Sequence, residues 1–171
     1  MRYDEATKIA NEASSAWYEH MRRCETCRNE SSALVPASMK AELVSAPSIL
    51  LVDDNHDLLA VLSGMLQHTY KVAGALSNGA AVLEQAALLH PDVIILDISL
   101  GDVNGFEVAR RLKKAGCPAR IIFLTLHEDM DFARAAFGLG ASGYVFKSRL
   151  DIDLQNAIAA VLSGGHFSSI K

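Results

Sequence analysis

Ionisable and hydroxyl side chains follow four of the apolar runs in this chain, at or just after the end of each run. They are Asp53, Asp54, Asp97, Thr125 and Lys147. Two carboxylates about 5 Å apart repel each other by roughly 3 kcal/mol at an effective dielectric constant near 20. Three carboxylates in one place therefore need protonation or a cation. Mg²⁺ is the natural cation, because it takes one or two carboxylates, keeps several waters and leaves room for phosphate oxygens.

The apolar runs themselves predict five β-strands. The runs are short and unbroken and begin 21 to 28 residues apart, with helix-period segments between and after them. Because parallel strands need a crossover helix, the pattern predicts a doubly wound α/β domain with a five-stranded parallel sheet covered on both faces. Five units are too few for an eight-stranded barrel. The predicted strands span 49–52, 72–76, 93–96, 121–124 and 144–146, and the predicted helices span 56–68, 78–90, 105–115, 129–139 and 151–163.

In a doubly wound sheet, ligands bind at the carboxyl ends of the strands, where the strand order reverses. With the strand order 2-1-3-4-5, the three carboxylates, the hydroxyl and the ammonium meet at one rim. Taken singly, Asp54 also fits a helix cap, and Asp97 and Thr125 fit turn positions. Lys147 alone also fits a solvated charge at the sheet edge. Their convergence favours one shared site for a divalent cation and phosphate.

The composition argues against several other classes of function. The net charge is −4 and the isoelectric point is near 5.8, and the sequence has no local basic patch that would bind DNA. No apolar stretch reaches the length of a membrane span, and residues 1–30 lack the pattern of a signal peptide. We therefore expect a soluble, cytoplasmic protein without membrane contact. Three cysteines do not make a disulfide framework for 171 residues.

The composition changes near residue 47, which predicts a domain boundary. Residues 1–46 are expected to form a helical extension and linker, with one helix over 4–23. Residues 47–165 are expected to form the α/β domain, and residues 166–171 a tail. The plain explanation for the N-terminal helix is that it packs on a partner or on the α/β domain.

His20, Cys24 and Cys27 offer three metal ligands near the end of the predicted N-terminal helix, at the spacing His-x₃-Cys-x₂-Cys. Over about ten residues this pattern resembles the zinc motif of zinc-binding anti-sigma factors. A fourth nearby ligand is lacking, because no Cys or His precedes His20. A Zn²⁺ site and redox-active or incidental thiols both stay open.

Three longer stretches resemble the receiver domain of two-component response regulators: "LLVDDN", "VIILDISLGDVNGFEVARRLK" and "IIFLTLHEDMDFARAAFGLGASGYVFKS". The resemblance extends over residues 48–165. Through "LTLHED" and "GASGYVFK" it is most similar to the subgroup that usually continues into a helix-turn-helix output domain. The resemblance implies a flavodoxin-like fold and a phosphorylation-controlled signalling switch.

Carried onto this sequence, the resemblance implies that Asp97 is the phosphoacceptor. Its phosphoryl group would come from the phosphohistidine of a sensor histidine kinase or a phosphotransfer protein. The resemblance further implies that Asp54 binds Mg²⁺ directly and Asp53 mainly through water, with Asp97 and the backbone carbonyl of Ser99 completing the protein ligands. Lys147 would balance the charge of the transferring group.

The resemblance also implies how the signal leaves the site. Thr125 would donate its hydroxyl to the aspartyl phosphate and move towards it, and Tyr144 would turn inward into the vacated space. The face formed by the fourth helix, the fifth strand and the fifth helix would then change shape and contact a downstream protein target. A homodimer stays open, and no direct DNA binding by this chain is expected.

The sequence departs from the family pattern near the phosphoacceptor and the threonine. "LG" at residues 100–101 stands where the family commonly has Met-Pro, which predicts a looser loop. Leu126 is bulkier than the residue that many receivers have there, and it should narrow access to Asp97. Ser99 and His127 occupy positions that in the family tune the attack of water on the aspartyl phosphate.

Two rival functions fit less of the pattern. A haloacid-dehalogenase-like, Mg²⁺-dependent phosphatase needs a second Asp two residues after its nucleophile, where Ser99 stands. A nucleotide-binding module needs a Gly-rich loop after the first strand, and the sequence has none there. We therefore expect a phosphoacceptor that assists its own phosphorylation and dephosphorylation rather than an enzyme. Because few residues follow the last predicted helix, we expect a stand-alone receiver or one cut before its output domain.

Overall fold

Alternating strands and helices fill the part of the chain that the computed structural model describes, residues 46–101 and 103–170. In chain order the elements are β1 (Ser48–Val52), α1 (His56–Leu66), β2 (Lys71–Leu76), α2 (Val82–Leu89), β3 (Val93–Leu96), β4 (Ser99–Leu100), β5 (Val103–Asn104), α3 (Gly105–Lys114), β6 (Arg120–Thr125), α4 (Met130–Gly138), β7 (Gly143–Phe146), a 3₁₀ turn (Lys147–Arg149), α5 (Leu150–Leu162) and β8 (Phe167–Ser168). All five predicted strands and all five predicted helices are present within a few residues of their predicted bounds.

The main sheet is parallel and has the order β2-β1-β3-β6-β7-β8. The five predicted strands lie in the predicted order 2-1-3-4-5, so the doubly wound, flavodoxin-like fold is confirmed. Two features are additional. Residues 167–168, which were predicted to belong to a tail, pair with β7 as a sixth strand. β4 and β5 form a separate antiparallel hairpin after β3.

Two apolar cores lie on opposite faces of the sheet, because successive side chains of a strand point to opposite faces. Helices α2, α3 and α4 cover one face and α1 and α5 cover the other. The α2–α4 core includes Leu50, Ile94, Leu96, Val108, Phe123 and Tyr144. The α1–α5 core includes Leu51, Leu62, Ile95, Ile122 and Ile158. The prediction that the strands are covered on both faces is confirmed for β1, β3, β6 and β7. The edge strand β2 is covered only in part: Val72 packs against the α1–α5 core and Leu76 against the α2–α4 core, but no residue of β2 is fully buried.

Polar caps and left-handed residues set the helix ends. Asn55 caps α1 by accepting a hydrogen bond from the backbone N–H of Leu58, so the capping role considered for Asp54 belongs to its neighbour. After α3, α4 and α5 the backbone turns through Gly116, Gly140 and Gly164, all with positive φ. A glycine adopts this conformation without the steric cost that a side chain would add.

The predictions for the N-terminal extension lie outside the described residues. They are the helix over 4–23, the linker that follows it, and the metal hypothesis for His20, Cys24 and Cys27. Among the helices that the structure does describe, none is both long and apolar enough to cross a membrane.

Candidate functional site

The predicted site residues meet at one edge of the sheet. β1, β3, β6 and β7 are adjacent and parallel, so their carboxyl ends lie side by side. Asp53 and Asp54 follow β1 directly, Asp97 follows β3, Thr125 is the last residue of β6, and Lys147 follows β7. The predicted convergence of these strand ends on one rim is therefore what the structure shows.

The three carboxylates form an acidic cluster, which we define as Asp53, Asp54 and Asp97. One oxygen atom of each lies within 4.8 Å of the others. Asp53 and Asp97 are buried, whereas Asp54 is exposed. The cluster is thus open to solvent on the Asp54 side and enclosed by the sheet on the other.

Lys147 joins two members of the acidic cluster. Its Nζ lies 2.7 Å from Oδ2 of Asp53 and 2.9 Å from Oδ2 of Asp97. The Lys147 side chain is only 14% exposed, so it is not the solvated edge charge considered as an alternative. One ammonium therefore faces two buried carboxylates, and the site still carries excess negative charge.

Burial and pairing shift the pKa values in opposite ways. Burial raises the pKa of Asp97, and the hydrogen bond and positive charge of Lys147 only partly offset this effect. Burial alone would lower the pKa of Lys147, but its hydrogen bonds to Asp53 and Asp97 raise that pKa overall. The ammonium therefore stays charged, while the Asp97 anion is destabilised and would gain from more positive charge nearby.

The donor atoms of the acidic cluster fit a hard divalent cation. All are carboxylate oxygens, the ligands that Mg²⁺ prefers. The buried Oδ2 of Asp53 is held by its ion pair with Lys147, whose Nζ lies 2.7 Å away. Oδ1 of Asp53 accepts from the backbone N–H of Asn55 at 3.0 Å, which fixes the carboxylate's orientation. We conclude that the carboxylate oxygens of the acidic cluster can bind Mg²⁺.

The hairpin formed by β4 and β5 borders the acidic cluster. Ser99 begins β4, and its backbone hydrogen-bonds to the Asp97 carboxylate. Residues 99–100 pair with 103–104 as a short antiparallel hairpin, and the looser loop expected here stays a prediction. Gly101 has a φ of 67°, a conformation that the fixed negative φ of a proline would forbid.

Thr125 and Tyr144 are linked through the backbone of His127. Oγ1 of Thr125 accepts from the His127 N–H at 3.1 Å, and the Tyr144 hydroxyl donates to the His127 carbonyl at 2.7 Å. Both Thr125 and Tyr144 are fully buried. The sequence predicts that Tyr144 turns inward after phosphorylation, and the structure already has it in an inward position.

The environment of Tyr144 and His127 is well defined by short contacts. Burial, with a smaller contribution from the charge of Asp129, raises the pKa of Tyr144 to about 12, so its hydroxyl is protonated and remains a donor at neutral pH. The His127 ring stacks on Phe132 with 4.2 Å between ring centroids, and its Nε2 lies 3.4 Å from Oγ of Ser99. Beside them, the Leu126 side chain is 74% exposed.

Gly105 supports the site, although its sequence position alone did not predict this role. A Cβ placed on Gly105 would lie 2.0 Å from the backbone carbonyl oxygen of Asp97. The Gly105 N–H also donates to the carbonyl of Ile98 at 2.7 Å. The first turn of α3 therefore packs directly on the backbone that carries Asp97. The only sequence signal was a glycine at the start of a predicted helix, following Asn104, which caps α3.

Residues 49–159 match the family described as the response regulator receiver domain. The virulence-factor transcription regulator BvgA of Bordetella pertussis (strain Tohama I) is 34% identical over 117 residues, which cover 68% of this chain and 56% of BvgA. The positive alginate biosynthesis regulatory protein of Pseudomonas aeruginosa is 35% identical over 114 residues, covering 65% of this chain and 45% of that protein. The chain thus spans about half the length of these curated relatives.

A solved structure agrees with the sequence comparisons. The crystal structure of a LuxR-family two-component response regulator from Aurantimonas sp. SI85-9A1 superposes with a TM-score of 0.68 and 30% sequence identity. The superposition covers 72% of this chain and 89% of that one.

The family match begins at residue 49 and so does not reach His20, Cys24 or Cys27, and nothing in these similarities supports zinc.

Proposed function

This chain belongs to the response regulator receiver domain family, and we propose that Asp97 is its phosphoacceptor. The resemblance to receiver domains is thereby confirmed, and with it a role in two-component signal transduction. Response regulators are phosphorylated by histidine kinases, so the donor proposed here is the phosphohistidine of a sensor kinase or a phosphotransfer protein. The observation that carries the proposal is the position of Asp97, in contact with Lys147 within the acidic cluster.

In the proposed reaction, a carboxylate oxygen of Asp97 attacks the phosphorus atom. The new P–O bond forms as the P–N bond to the donor histidine breaks, and the donor imidazole leaves. Such a transfer needs positioning and charge neutralisation more than covalent chemistry by the protein. Lys147, with Nζ 2.9 Å from Oδ2 of Asp97, is placed to contact an oxygen of the incoming group.

Receiver domains generally bind Mg²⁺ at this acidic pocket. We propose that Asp54 binds the ion directly and Asp53 mainly through water, with Asp97 and the carbonyl of Ser99 as further ligands. When bound, Mg²⁺ would neutralise the oxygens of the phosphoryl group. The openness of the cluster on the Asp54 side leaves room for the ion's remaining waters.

Thr125 and Tyr144 are proposed to report the phosphorylation state. The Thr125 oxygen accepts from His127, so its own O–H can donate to a phosphoryl oxygen on Asp97. Movement of Thr125 would carry the backbone of His127 with it, and through that backbone the hydroxyl of Tyr144. The output face in this proposal is formed by α4, β7 and α5, and its target is a protein.

Response regulators often dimerise, and a homodimer through this chain is an open part of the proposal.

Receiver domains are in general signalling domains rather than enzymes. We therefore propose that the chain assists its own phosphorylation and dephosphorylation but does not turn over a substrate. The alternative, a haloacid-dehalogenase-like phosphatase, loses support because Ser99 stands where the second Asp would act. A cytoplasmic location follows from the proposed partnership with a sensor kinase and is part of the same proposal.

Incubation with Mg²⁺ and acetyl phosphate, followed by intact mass spectrometry, tests the phosphoacceptor. We expect the wild type to gain one labile phosphoryl group and Asp97→Asn to gain none. Asp131→Asn is the matched control, because Asp131 is exposed and pairs only with Arg134 among the contacts described. Chelation of Mg²⁺ should abolish the gain. A mass gain in Asp97→Asn equal to that of the wild type would assign the phosphoryl group to another residue and contradict the proposal.

A further inference from the structure

The output face is already occupied by a segment of the chain itself. Residues 166–170, which we call the strap, run along the outer edge of β7 as β8. Two of their backbone N–H groups donate to β7 and the residue before it: Phe167 N–H to the carbonyl of Ser142 at 3.0 Å, and Ser169 N–H to the carbonyl of Tyr144 at 2.9 Å. The strap is therefore bonded to the residue that is expected to change position.

Ser169 anchors the strap through its side chain. Its Oγ donates to Oδ2 of Asp153 at 2.6 Å and accepts from the backbone N–H of Phe146 at 3.3 Å. Asp153 is only 6% exposed, and Arg149 holds it with contacts of 2.7 and 3.2 Å. A buried carboxylate costs free energy unless it is paired, so this set of contacts favours one position of the strap.

Apolar side chains hold the strap on both faces of the sheet. Phe167 packs against the α1–α5 core, whereas Ile170 packs against the α2–α4 core, which contains Tyr144. His166 adds an edge-on contact with the ring of Phe137 on α4, with 6.2 Å between the centroids. The strap therefore bridges the two helices that flank β7 in the proposed output face.

The position of the strap restricts Tyr144. β7 lies between β6 and β8, and the inward ring of Tyr144 packs in the same core as Phe123 of β6. A ring that rotated away from β6 would move over β8, where Ile170 packs on that same face of the sheet. A docked strap and an outward Tyr144 therefore compete for the same space.

We propose that residues 166–170 hold Tyr144 inward and so bias the switch towards its phosphorylated conformation in the absence of phosphate. This inference deepens the proposed function and rests on it, in that Tyr144 is taken to report the signalling state. The coupling is reciprocal: whatever favours inward Tyr144 tightens the strap, and whatever pulls the strap from β7 releases the ring.

Fluorine NMR of protein labelled with 3-fluorotyrosine tests this coupling directly. The chain has four tyrosines, and loss of one resonance in Tyr144→Phe assigns the signal. The test variant is Ser169→Ala combined with Ile170→Ala. We expect the outward population of Tyr144 to rise about tenfold or more, because one lost hydrogen bond of typical net strength already changes a population ratio by up to about that factor. An outward ring is exposed to solvent. The rise would therefore be seen as a larger difference in the Tyr144 fluorine chemical shift between H₂O and D₂O.

The matched control combines Ser163→Ala with Ile152→Ala. Among the described residues, Oγ of Ser163 bonds only to the carbonyl of Ala160 at the end of α5, and Ile152 is 58% exposed on the same helix. We expect no change in the Tyr144 signal of this control. If the strap variant gives a folded spectrum with an unchanged Tyr144 signal, the inference is overturned.

Ser169→Ala alone keeps the apolar packing and serves if the double variant fails to fold; it should shift the Tyr144 signal in the same direction by a smaller amount. An unchanged Tyr144 signal in folded Ser169→Ala would likewise overturn the inference.

No phosphodonor enters this experiment. A failure of Asp97 to accept phosphate would therefore leave the NMR result interpretable, and the two proposals can fail separately.

Discussion

Lys147 shows at the scale of single residues why this site accepts a cation. One ammonium contacts two buried carboxylates, and a third carboxylate, Asp54, lies within the same cluster. The charge of the four groups therefore sums to about −2 when all are ionised. Folding has to place this excess charge at the end of the sheet, and binding of a divalent cation would remove it.

Replacing Asp97 by Asn should stabilise the protein in the absence of Mg²⁺. The change removes one of the crowded negative charges, and we expect the free energy of unfolding at pH 7 to rise by about 1 kcal/mol. In saturating Mg²⁺ the order should reverse, because a ligand at 100 times its Kd stabilises the wild type by about 2.7 kcal/mol. Urea denaturation in EDTA and in Mg²⁺ measures both effects. A less stable Asp97→Asn in EDTA would show that the excess charge is not costly.

At the scale of elements, the first turn of α3 positions Asp97. Gly105 approaches the Asp97 carbonyl so closely that no side chain fits between them. This contact sets the distance between α3 and the end of β3. The helix thereby supports the reactive carboxylate although none of its side chains belongs to the acidic cluster.

Gly105→Ala should displace the backbone that carries Asp97. We expect a loss of about 1 to 3 kcal/mol in the free energy of unfolding, the usual cost of overpacking, and a slower uptake of phosphate from acetyl phosphate. Gly64→Ala in α1 is the matched control, since a Cβ there meets no atom of the described residues within 4 Å. It should raise stability by about 0.5 to 1 kcal/mol. Equal stabilities of the two variants would argue against the role of Gly105.

The elements that sequence could predict are those whose pattern is local. Apolar runs followed by polar residues place five strands and the residues at their ends, so the acidic cluster, Thr125 and Lys147 follow from the sequence. The sixth strand, β8, has no apolar run, and it exists because Ser169 and Ile170 find partners on α5 and in the α2–α4 core. The sequence allows Asp54 as well as Asn55 to cap α1, because both residue types cap helices about equally well, and only the structure shows that Asn55 does so.

The whole described domain is one sheet with two separate cores. Ile94 and Ile95 are neighbours in sequence, yet Ile94 belongs to the α2–α4 core and Ile95 to the α1–α5 core. The α2–α4 core contains Tyr144, and the strap residue Ile170 packs against it, whereas Phe167 is the one strap residue that packs at the border of the α1–α5 core. This division predicts that the α2–α4 core can repack during switching while the other core keeps the sheet in place.

A double-mutant cycle on Ile94→Val and Ile95→Val tests this division. Each substitution removes one buried methylene group and should lower the free energy of unfolding by about 0.5 to 1.5 kcal/mol. Because the two side chains share no core, the double variant should equal the sum of the singles to within about 0.5 kcal/mol. Ile94→Val with Phe123→Leu provides the contrast, since both of those residues lie in the α2–α4 core and should couple. Urea denaturation gives all the free energies of unfolding. If Ile94 and Ile95 couple as strongly as the pair within the α2–α4 core, the sheet transmits packing changes from one face to the other, and the predicted division is contradicted.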